Sequence, residues 1–328
     1  MTVYTKFSDH FRESYKRNPQ SFFCRSVIRL SRLIQPHKIF LQRTMQPYKS
    51  FRYRRAFQQI VHTAPRPCCP QANCEIHTLT SHSHVFMYLT AIKSFLRFFD
   101  GRQVAVVVHD DGSLTKRDKE LLAQHVTGMR LIEKRQADEQ IASYLHGFPL
   151  CREYRDKFVN IIQLFDFFLL SGSRKIILMD SDTLFFQKPF KIIDWIESTL
   201  RENLVAFEDH PKGQKEFLGA LGCDFPPHIC ISLGCLHKDL FDLNLIEDVL
   251  NKALSLGDWD LWTQQNIFPL MVHKKLGEYQ ALFLDKNKYQ AFYYPTEKGV
   301  VFRHYVSSTY FSRFDRHLAD AQMILAQL

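Results

Sequence analysis

Short apolar runs alternate along the chain with longer stretches in which apolar residues recur every three or four positions. The short runs predict strands at 75–79, 103–109, 130–133, 176–179, 204–207 and 228–237. The helical spacing predicts helices at 85–99, 115–124, 138–145, 152–170 and 192–200. Strands and helices that alternate in this way indicate βαβ units. The expected fold is therefore α/β, with a mostly parallel central sheet and helices on both faces.

The strongest chemical signal lies in the segment 175–190, which reads KIILMDSDTLFFQKPF. Its apolar run predicts a buried strand, and Asp180 and Asp182 follow where that strand ends. Side chains alternate along an extended chain, so both carboxylates point the same way, about 6–7 Å apart along the strand. Two carboxylates on one side repel each other unless a cation lies between them, and a hard divalent ion suits oxygen ligands. A plain turn is the alternative, because Asp and Ser also end strands by hydrogen bonding to the backbone.

Two acidic motifs of the chain have other interpretations, a phosphatase motif for the first and a turn for the second. Phosphatases of the haloacid-dehalogenase type carry Asp-x-Asp-x-Thr after a strand, but here Thr183 comes one residue early and Leu184 stands in its place. That spacing excludes the phosphatase class. A second acidic pair, in Asp110-Asp111-Gly112, is expected to form an ordinary turn.

The order of apolar strand, Asp-Ser-Asp, Thr-Leu-Phe and proline resembles the metal-binding segment of nucleotide-sugar glycosyltransferases with the GT-A fold. It is most similar to glycosyltransferase family 8, the glycogenin and lipopolysaccharide galactosyltransferase type, over about residues 75–316. The resemblance implies a GT-A (Rossmann-like) domain that moves a sugar, with retention, from a nucleotide-diphosphate donor to an acceptor that the sequence does not identify. A UDP-sugar is the expected donor. The implied cofactor is Mn²⁺ or Mg²⁺, with Asp180, Asp182 and His304 as its ligands.

The same resemblance implies donor-binding residues at the ends of several strands. Thr80 and Ser81 occupy the place that contacts the base and ribose, and Ser181 lies inside the metal-binding segment. Ser232 and Gly234 stand where the family has an Asn-x-Gly strand that approaches the donor sugar. The glycine matches the family pattern, and the serine replaces the amide.

Further expected roles fall on basic and amide side chains. Arg155 and Lys157, ahead of the apolar repeat that begins at Phe158 in the segment 152–170, and Arg313, beyond the last strand, are candidates for binding the diphosphate. A solvated helix start is the alternative for the first two. Gln264 or Gln265 would lie beside the sugar as a catalytic residue, in a segment that resembles the Asp-Gln segment of the family.

Charge divides the chain into two parts. Residues 1–60 hold 13 Lys and Arg against Asp9 and Glu13, a balance of +11, whereas the remainder holds 30 against 32, a balance of −2. We therefore expect a basic, mainly helical extension and linker at 1–70 and a GT-A-like domain at 71–328. Residues 20–34 have the pattern of a basic amphipathic helix. Three interpretations of this helix remain open. It packs on the main domain, lies on an anionic membrane through residues 20–55, or binds nucleic acid. No motif for specific nucleic-acid recognition accompanies the charge.

Cysteine spacing and hydropathy bear on the setting of the protein. The eight cysteines form no Cys-x-x-Cys pair, which excludes that form of zinc site. No apolar run is long enough for a signal peptide or a membrane span. We therefore expect a cytoplasmic protein with reduced thiols. If the basic helix lies on a membrane, the protein would be attached to that membrane peripherally. The alternative function is a non-catalytic GT-A-like scaffold whose basic arm binds membrane or nucleic acid.

Overall fold

The structure is a computed structural model that describes residues 51–52, 55–99, 103–207, 218–219, 221–223, 229–256, 263–291, 296–305 and 311–328, without the side chains of 207 and 311–314. The helix expected at 20–34 lies outside these residues. The chain divides into two compact units, residues 1–52 and 53–328, and the second is described below. Phe57 and Ile60 are buried within this second unit. The domain division after residue 70 stays a prediction.

The elements of the second unit alternate along most of the described chain. Its strands are β1 (Cys74–Thr80), β2 (Ala105–Asp110), β3 (Arg130–Ile132), β4 (Lys175–Met179), β5 (Thr183–Phe185), β6 (Glu202–Phe207), β7 (Ile229–His237), β8 (Gln280–Phe283), β9 (Tyr289–Gln290) and β10 (Phe302–His304). Its helices are α1 (Val85–Leu96), α2 (Lys116–His125), α3 (Lys134–Tyr144), α4 (Pro149–Lys157), α5 (Ile162–Leu169), α6 (Phe190–Glu197), α7 (Leu243–Leu256), α8 (Thr263–Lys274) and α9 (Phe311–Leu325). A two-stranded ladder also joins Arg66–Pro67 to Val126–Thr127.

Seven strands form the central sheet in the order β8-β6-β7-β4-β1-β2-β3. The pairs β8–β6, β4–β1, β1–β2 and β2–β3 are parallel, and β7 runs antiparallel to both of its neighbours. The predicted α/β fold with a mostly parallel sheet is confirmed. The carboxyl ends of β4, β1, β2 and β3 therefore meet at one edge, where ligands of such sheets bind.

The apolar strand before the two aspartates is buried on both sides. Ile176 and Leu178 belong to a core beneath α3, α4, α5, α7 and α8, whereas Ile177 and Met179 belong to a second core beneath α1, α2 and α6. Alternate side chains of a strand point to opposite faces, so a continuous apolar run is what a sheet covered on both sides requires. Helices on both faces are thus confirmed.

The helix expected at 152–170 is interrupted. The chain forms α4, breaks at Phe158, which has extended backbone (φ −131°, ψ 117°), and continues through a 3-10 turn into α5. The apolar spacing runs through the break, so the pattern alone predicts one helix. Arg155 helps to fix the break, because its guanidinium makes two 2.8 Å bonds to Asp166 of the following helix.

Helix α2 begins where its sequence predicts. Thr115 accepts from the backbone N–H of Asp118, whose carboxylate accepts from the backbone N–H of Thr115, forming a capping box. The Asp110-Asp111-Gly112 turn ahead of it is also confirmed. The Asp110 carboxylate accepts from the N–H of Gly112 at 2.7 Å, and Gly112 has a φ of +98°, a conformation that suits glycine.

A row of polar side chains in mutual contact crosses the interior between β1 and β2. His77 Nε2 lies 3.1 Å from a Glu75 carboxylate oxygen, and His77 Nδ1 lies 2.9 Å from His109 Nε2. Glu75 also accepts from Arg130 at 3.0 Å. Burial lowers the pKa of both histidines, and Glu75 raises that of His77 by less than burial lowers it. Both imidazoles are therefore neutral when the protein is folded near neutral pH.

We expect these histidines to make the protein sensitive to acid. Below the usual histidine pKa the unfolded chain binds protons that the folded chain excludes, so stability falls as the pH falls. The loss reaches at most about 1.4 kcal/mol per pH unit for each histidine that stays neutral. Urea unfolding of wild type and His109→Gln between about pH 7 and about pH 5 measures it, since this is the histidine range. The variant should show the shallower dependence, and equal slopes would contradict the assignment.

Candidate metal centre

The segment that follows β4 presents two carboxylates at the carboxyl edge of the sheet. The Asp180 N–H donates to the carbonyl of Ser232 at 3.1 Å. This bond extends the pairing of β4 with β7 by one residue beyond the end of β4. Thr183 Oγ1 then donates to the Asp180 carbonyl at 2.8 Å and closes the turn. Asp180 and Asp182 are both half-buried. Turn chemistry is thus present, through the backbone and Thr183.

A second, three-stranded sheet brings His304 to the same place. Its order is β9-β10-β5, and β10 runs antiparallel to β5, with His304 opposite Thr183. The Tyr305 N–H extends the pairing by donating to the Asp182 carbonyl at 3.0 Å. Because β5 begins directly after the two aspartates, this ladder sets a residue far along the chain beside them. The predicted convergence of Asp182 and His304 is observed.

The ligand atoms of the three side chains lie close enough together for one cation to contact all of them. His304 Nε2 lies 3.3 Å from an Asp182 carboxylate oxygen and 3.5 Å from an Asp180 carboxylate oxygen. One ligand atom from each residue lies within 4.8 Å of the other two. His304 Nδ1 lies 3.0 Å from the Ala291 carbonyl, which can only accept, so Nδ1 carries a proton. In the neutral ring Nε2 then holds the lone pair that faces the two carboxylates.

The electrostatics of the cluster favour a positive charge at its centre. Burial lowers the pKa of His304, but the charge of Asp182 and its hydrogen bond outweigh burial and raise the pKa well above its usual value. The imidazolium thus balances negative charge that would otherwise repel. A divalent cation bound here would displace that proton, because a histidine ligand must be neutral. Two carboxylate oxygens and one imidazole nitrogen form a donor set that fits Mn²⁺ or Mg²⁺.

Gln163, which the sequence did not single out, contacts one of the carboxylates. It lies on the second residue of α5, and its amide nitrogen donates to Asp180 Oδ1 at 2.6 Å. The other oxygen, Oδ2, is the one that faces His304. The glutamine therefore fixes the rotation of the carboxylate and directs Oδ2 into the cluster. The available signal was one polar residue within an apolar helical run.

Replacing Gln163 by methionine, which has a similar length and no donor, should weaken binding of Mn²⁺ to the protein. We expect a loss of about 10-fold, the lower end of the range for outer partners of metal ligands. Electron paramagnetic resonance of free Mn²⁺ during titration measures the affinity. Gln140→Met, on the exposed face of α3, is the matched control. Equal affinity of both variants and wild type would show that Gln163 does not orient Asp180.

Two further histidines lie close enough to Asp182 to sense its charge. Burial lowers the pKa of His84, at the carboxyl end of β1, and Asp182 acts in the opposite direction. Burial also lowers the pKa of His317, in α9, to about 3, again against Asp182. The His317 ring stacks on Tyr305 with centroids 4.0 Å apart. Sequence analysis assigned no role to either histidine.

The hydroxyl residues expected to bind the donor differ in their burial and in their polar contacts. Thr80 ends β1 with its hydroxyl buried, and the Ser81 hydroxyl lies 2.9 Å from that of Ser83. Ser181 is buried between the two aspartates, and the Ser232 hydroxyl lies 2.9 Å from the Cys230 sulfur.

Gly234, expected to approach the donor sugar, lies among apolar side chains of the central sheet. This glycine lies within β7, opposite Leu178 of β4 and Val205 of β6. A Cβ there would meet the side chains of Leu178 and Leu236 at 3.6 and 3.7 Å. These are ordinary van der Waals distances, and the approach of Gly234 to a donor sugar stays a prediction.

Arg155 is also not the phosphate-binding residue that was expected. Its side chain is 4% exposed and bonded to Asp166 and to Asp138 at 2.9 Å. These carboxylates raise its pKa against the effect of burial, which holds the guanidinium charged and engaged inside the protein. Helical periodicity does not reveal such partners.

The other polar candidates differ in exposure. Lys157, at the end of α4, is exposed, and its amine lies 5.5 Å from the centre of the Phe158 ring. Gln264 is buried at the start of α8, where its N–H donates to the Tyr154 hydroxyl at 3.0 Å. Its side-chain oxygen is buried with no hydrogen-bond partner among the described residues. Gln265 is half-buried, and the side chain of Arg313 lies outside the described residues.

Comparison with known proteins gave matches among solved structures only. No family model and no curated protein matches the chain. The chain is similar to the galactosyltransferase LgtC in complex with donor and acceptor sugar analogues, with a TM-score of 0.47, 12% identity, and 75% of this chain and 95% of that one covered. It is also similar to mouse xyloside xylosyltransferase 1, with a TM-score of 0.47, 13% identity and coverage of 71% and 97%.

A third similar structure is core-mannan synthase A of Aspergillus fumigatus in its Mn/GDP form. Its TM-score is 0.41, at 10% identity, with 68% of this chain and 78% of that one covered. All three are glycosyltransferases, the class that the sequence resembles, and the family 8 assignment stays a prediction. Because identities and TM-scores are this low, the functional argument rests on the geometry of the cluster itself.

Proposed function

We propose that this protein is a metal-dependent glycosyltransferase that moves a sugar from a nucleotide-diphosphate donor to an acceptor. The observation that carries the proposal is the convergence of Asp180, Asp182 and His304 at the carboxyl edge of a mostly parallel sheet. Ligands of such sheets bind at this edge. The contacts that orient two of the three side chains, from Gln163 to Asp180 and from His304 to the Ala291 carbonyl, further support a built site over a chance cluster.

Metal binding and diphosphate binding are assigned to different residues. Asp180 Oδ2, Asp182 Oδ1 and His304 Nε2 would hold Mn²⁺ or Mg²⁺. The bound cation would neutralise the charge that develops on the diphosphate leaving group. Lys157 is exposed and remains our candidate for an outer contact to the diphosphate, as does Arg313. UDP as the nucleotide, a hexose as the transferred sugar and retention at the anomeric carbon are parts of the proposal that follow from the sequence resemblance.

Gln264 is our candidate for the residue beside the sugar, ahead of Gln265. Its buried side-chain oxygen makes no hydrogen bond within the described residues. A buried acceptor without a donor is unfavourable, and a sugar hydroxyl is a suitable donor. Thr80, Ser81, Ser181 and Ser232 complete the proposed donor contacts as hydroxyl groups near the same edge.

Thermal-shift measurements with a panel of nucleotide sugars, with and without Mn²⁺, test the function directly. A donor that raises the melting temperature only when Mn²⁺ is present supports a metal-dependent donor site, since a ligand stabilises the state it binds. Release of the nucleoside diphosphate from that donor then reports catalysis. A non-catalytic scaffold would bind the donor without releasing it, and absence of any Mn²⁺-dependent shift would contradict the proposal.

The basic N-terminal segment is proposed to contact an anionic membrane and to be separable from catalysis. The motive is its balance of +11 against −2 for the remainder of the chain. No helix among the described residues combines the length and apolar character needed to cross a bilayer. The cytoplasmic location stays a prediction.

Deleting residues 1–50 should leave donor hydrolysis unchanged and weaken binding to phosphatidylserine-containing vesicles. The deletion ends before Phe57 and Ile60, which are buried in the second unit. Co-sedimentation at low salt measures binding, because screening removes such attraction at high salt. Neutral vesicles are the control. Equal sedimentation of both proteins with anionic vesicles would exclude the membrane contact.

A further inference from the structure

The residues on either side of His304 are held by one carboxylate. Arg303 Nη1 and the Tyr305 hydroxyl each donate to Asp320 Oδ2 at 2.6 Å. Side chains alternate along a strand, so Arg303 and Tyr305 point to one side of β10 and His304 points to the other. That other side is the one occupied by Asp182. Asp320 therefore binds the side of the strand opposite to the one from which His304 faces the cluster.

Burial makes this contact strong. The Arg303 side chain is 2% exposed and that of Asp320 is 12% exposed. Loss of the Asp320 carboxylate would remove the 2.6 Å ion pair and leave this buried guanidinium with the more distant Glu297 carboxylate, 3.4 Å from Nη2. Arg303 is further positioned by Gln290 of β9, whose side-chain oxygen accepts from Nε at 3.0 Å. Asp320 also accepts from Arg316 Nε at 3.1 Å, so it is the shared acceptor of three donors.

The strand that carries His304 is short and lies between β5 and β9. β10 has three residues, which pair with β5 at three positions and with β9 at two. Asp320 lies on α9, a separate element that packs on β5 through Leu318 and Leu184. The His317 ring of the same helix stacks on Tyr305. Helix α9 thus contacts Arg303 of β10 and the adjoining Tyr305 through a buried ion pair, a hydrogen bond and a ring contact.

We propose that Asp320 is a positioning residue for the metal centre, which fixes β10 so that His304 Nε2 faces Asp180 and Asp182. This inference rests on the proposed function only where it concerns the cation. The placement of His304 is a separate and measurable consequence. A metal ligand that is 1 Å out of place binds poorly, so the effect of Asp320 should appear in both quantities.

Asp320→Asn tests the proposal, since the amide keeps the shape of the side chain and removes its charge. We expect the crystal structure of the variant to show His304 displaced from Asp182, and Mn²⁺ affinity measured by electron paramagnetic resonance to fall about 10- to 100-fold. Tyr305→Phe removes one donor and leaves the buried ion pair intact. It should lower the affinity by a smaller factor, and it serves as the test if the first variant does not fold.

Glu75→Gln is the matched control for a general loss of stability. Glu75 is a buried carboxylate bonded to Arg130 and lies opposite Ile176, at the start of β4 rather than at its carboxyl end. It should lower the melting temperature without changing Mn²⁺ affinity. An unmoved His304, or wild-type Mn²⁺ affinity in Asp320→Asn, would overturn the proposal. If wild type itself binds no Mn²⁺ while Asp320→Asn still displaces His304, the positioning role stands and the proposed function fails.

Discussion

Replacing Asp182 by asparagine should abolish Mn²⁺-dependent donor hydrolysis while the protein still folds. Asparagine keeps the size of the side chain, and the backbone carbonyl that accepts from Tyr305 is unchanged. The variant loses the charge that a hard cation requires. Charge stabilisation by a metal supplies several kcal/mol, so the rate should fall by about 10³-fold or more at 1.4 kcal/mol per tenfold.

Asp111→Asn is the matched control for this change. Asp111 follows another strand at the same edge, and its Oδ1 accepts from the backbone and hydroxyl of Ser113 at 2.9 and 2.5 Å. Asparagine preserves an acceptor at that position, so the control should retain activity. Initial rates of nucleoside diphosphate release, together with melting temperatures, measure both variants. Full activity of Asp182→Asn would mean that the segment is only a turn.

The second large effect is expected from His304→Phe. Phenylalanine keeps a ring of similar volume but offers neither Nε2 to the cation nor Nδ1–H to the Ala291 carbonyl. Loss of an inner ligand should cost more than the about 10- to 100-fold that loss of an outer partner costs. Titration with Mn²⁺ measures the affinity without depending on activity.

His82→Phe is the control for the loss of an imidazole at the same sheet edge. His82 is half exposed and bonded through Nδ1 to Asp118 at 2.7 Å. This variant should bind Mn²⁺ as wild type does. If His304→Phe also binds Mn²⁺ normally, the two aspartates alone would carry the metal site.

The sequence was sufficient to predict the parts of the fold that depend on local pattern. A β-branched apolar run marked β4 as a buried strand, and Thr115 with Asp118 marked the start of α2. The same period, however, runs through Phe158 and hides the break between α4 and α5. That β7 is antiparallel was equally hidden, because a central strand is apolar whichever way it runs.

The candidate site was predictable where spacing and resemblance coincide. The sequence predicts Asp180, Asp182 and His304 as ligands of one ion, and the structure brings them together. Gln163 was missed because its contact depends on how α5 packs against β4. The Ala291 carbonyl was missed because backbone groups carry no sequence signal. Arg155 was misassigned because a basic residue gives no sign that buried carboxylates already bind it.

The central claim is that one divalent cation is held by two aspartates and a histidine from distant parts of the chain. Crystals grown with Mn²⁺ and a nucleoside diphosphate, measured at the manganese absorption edge, test it most directly. We predict an anomalous peak about 2.0–2.3 Å from oxygens of Asp180 and Asp182 and from His304 Nε2. An anomalous peak bound by other residues, or a nucleotide bound with no peak at these three side chains, would contradict the account.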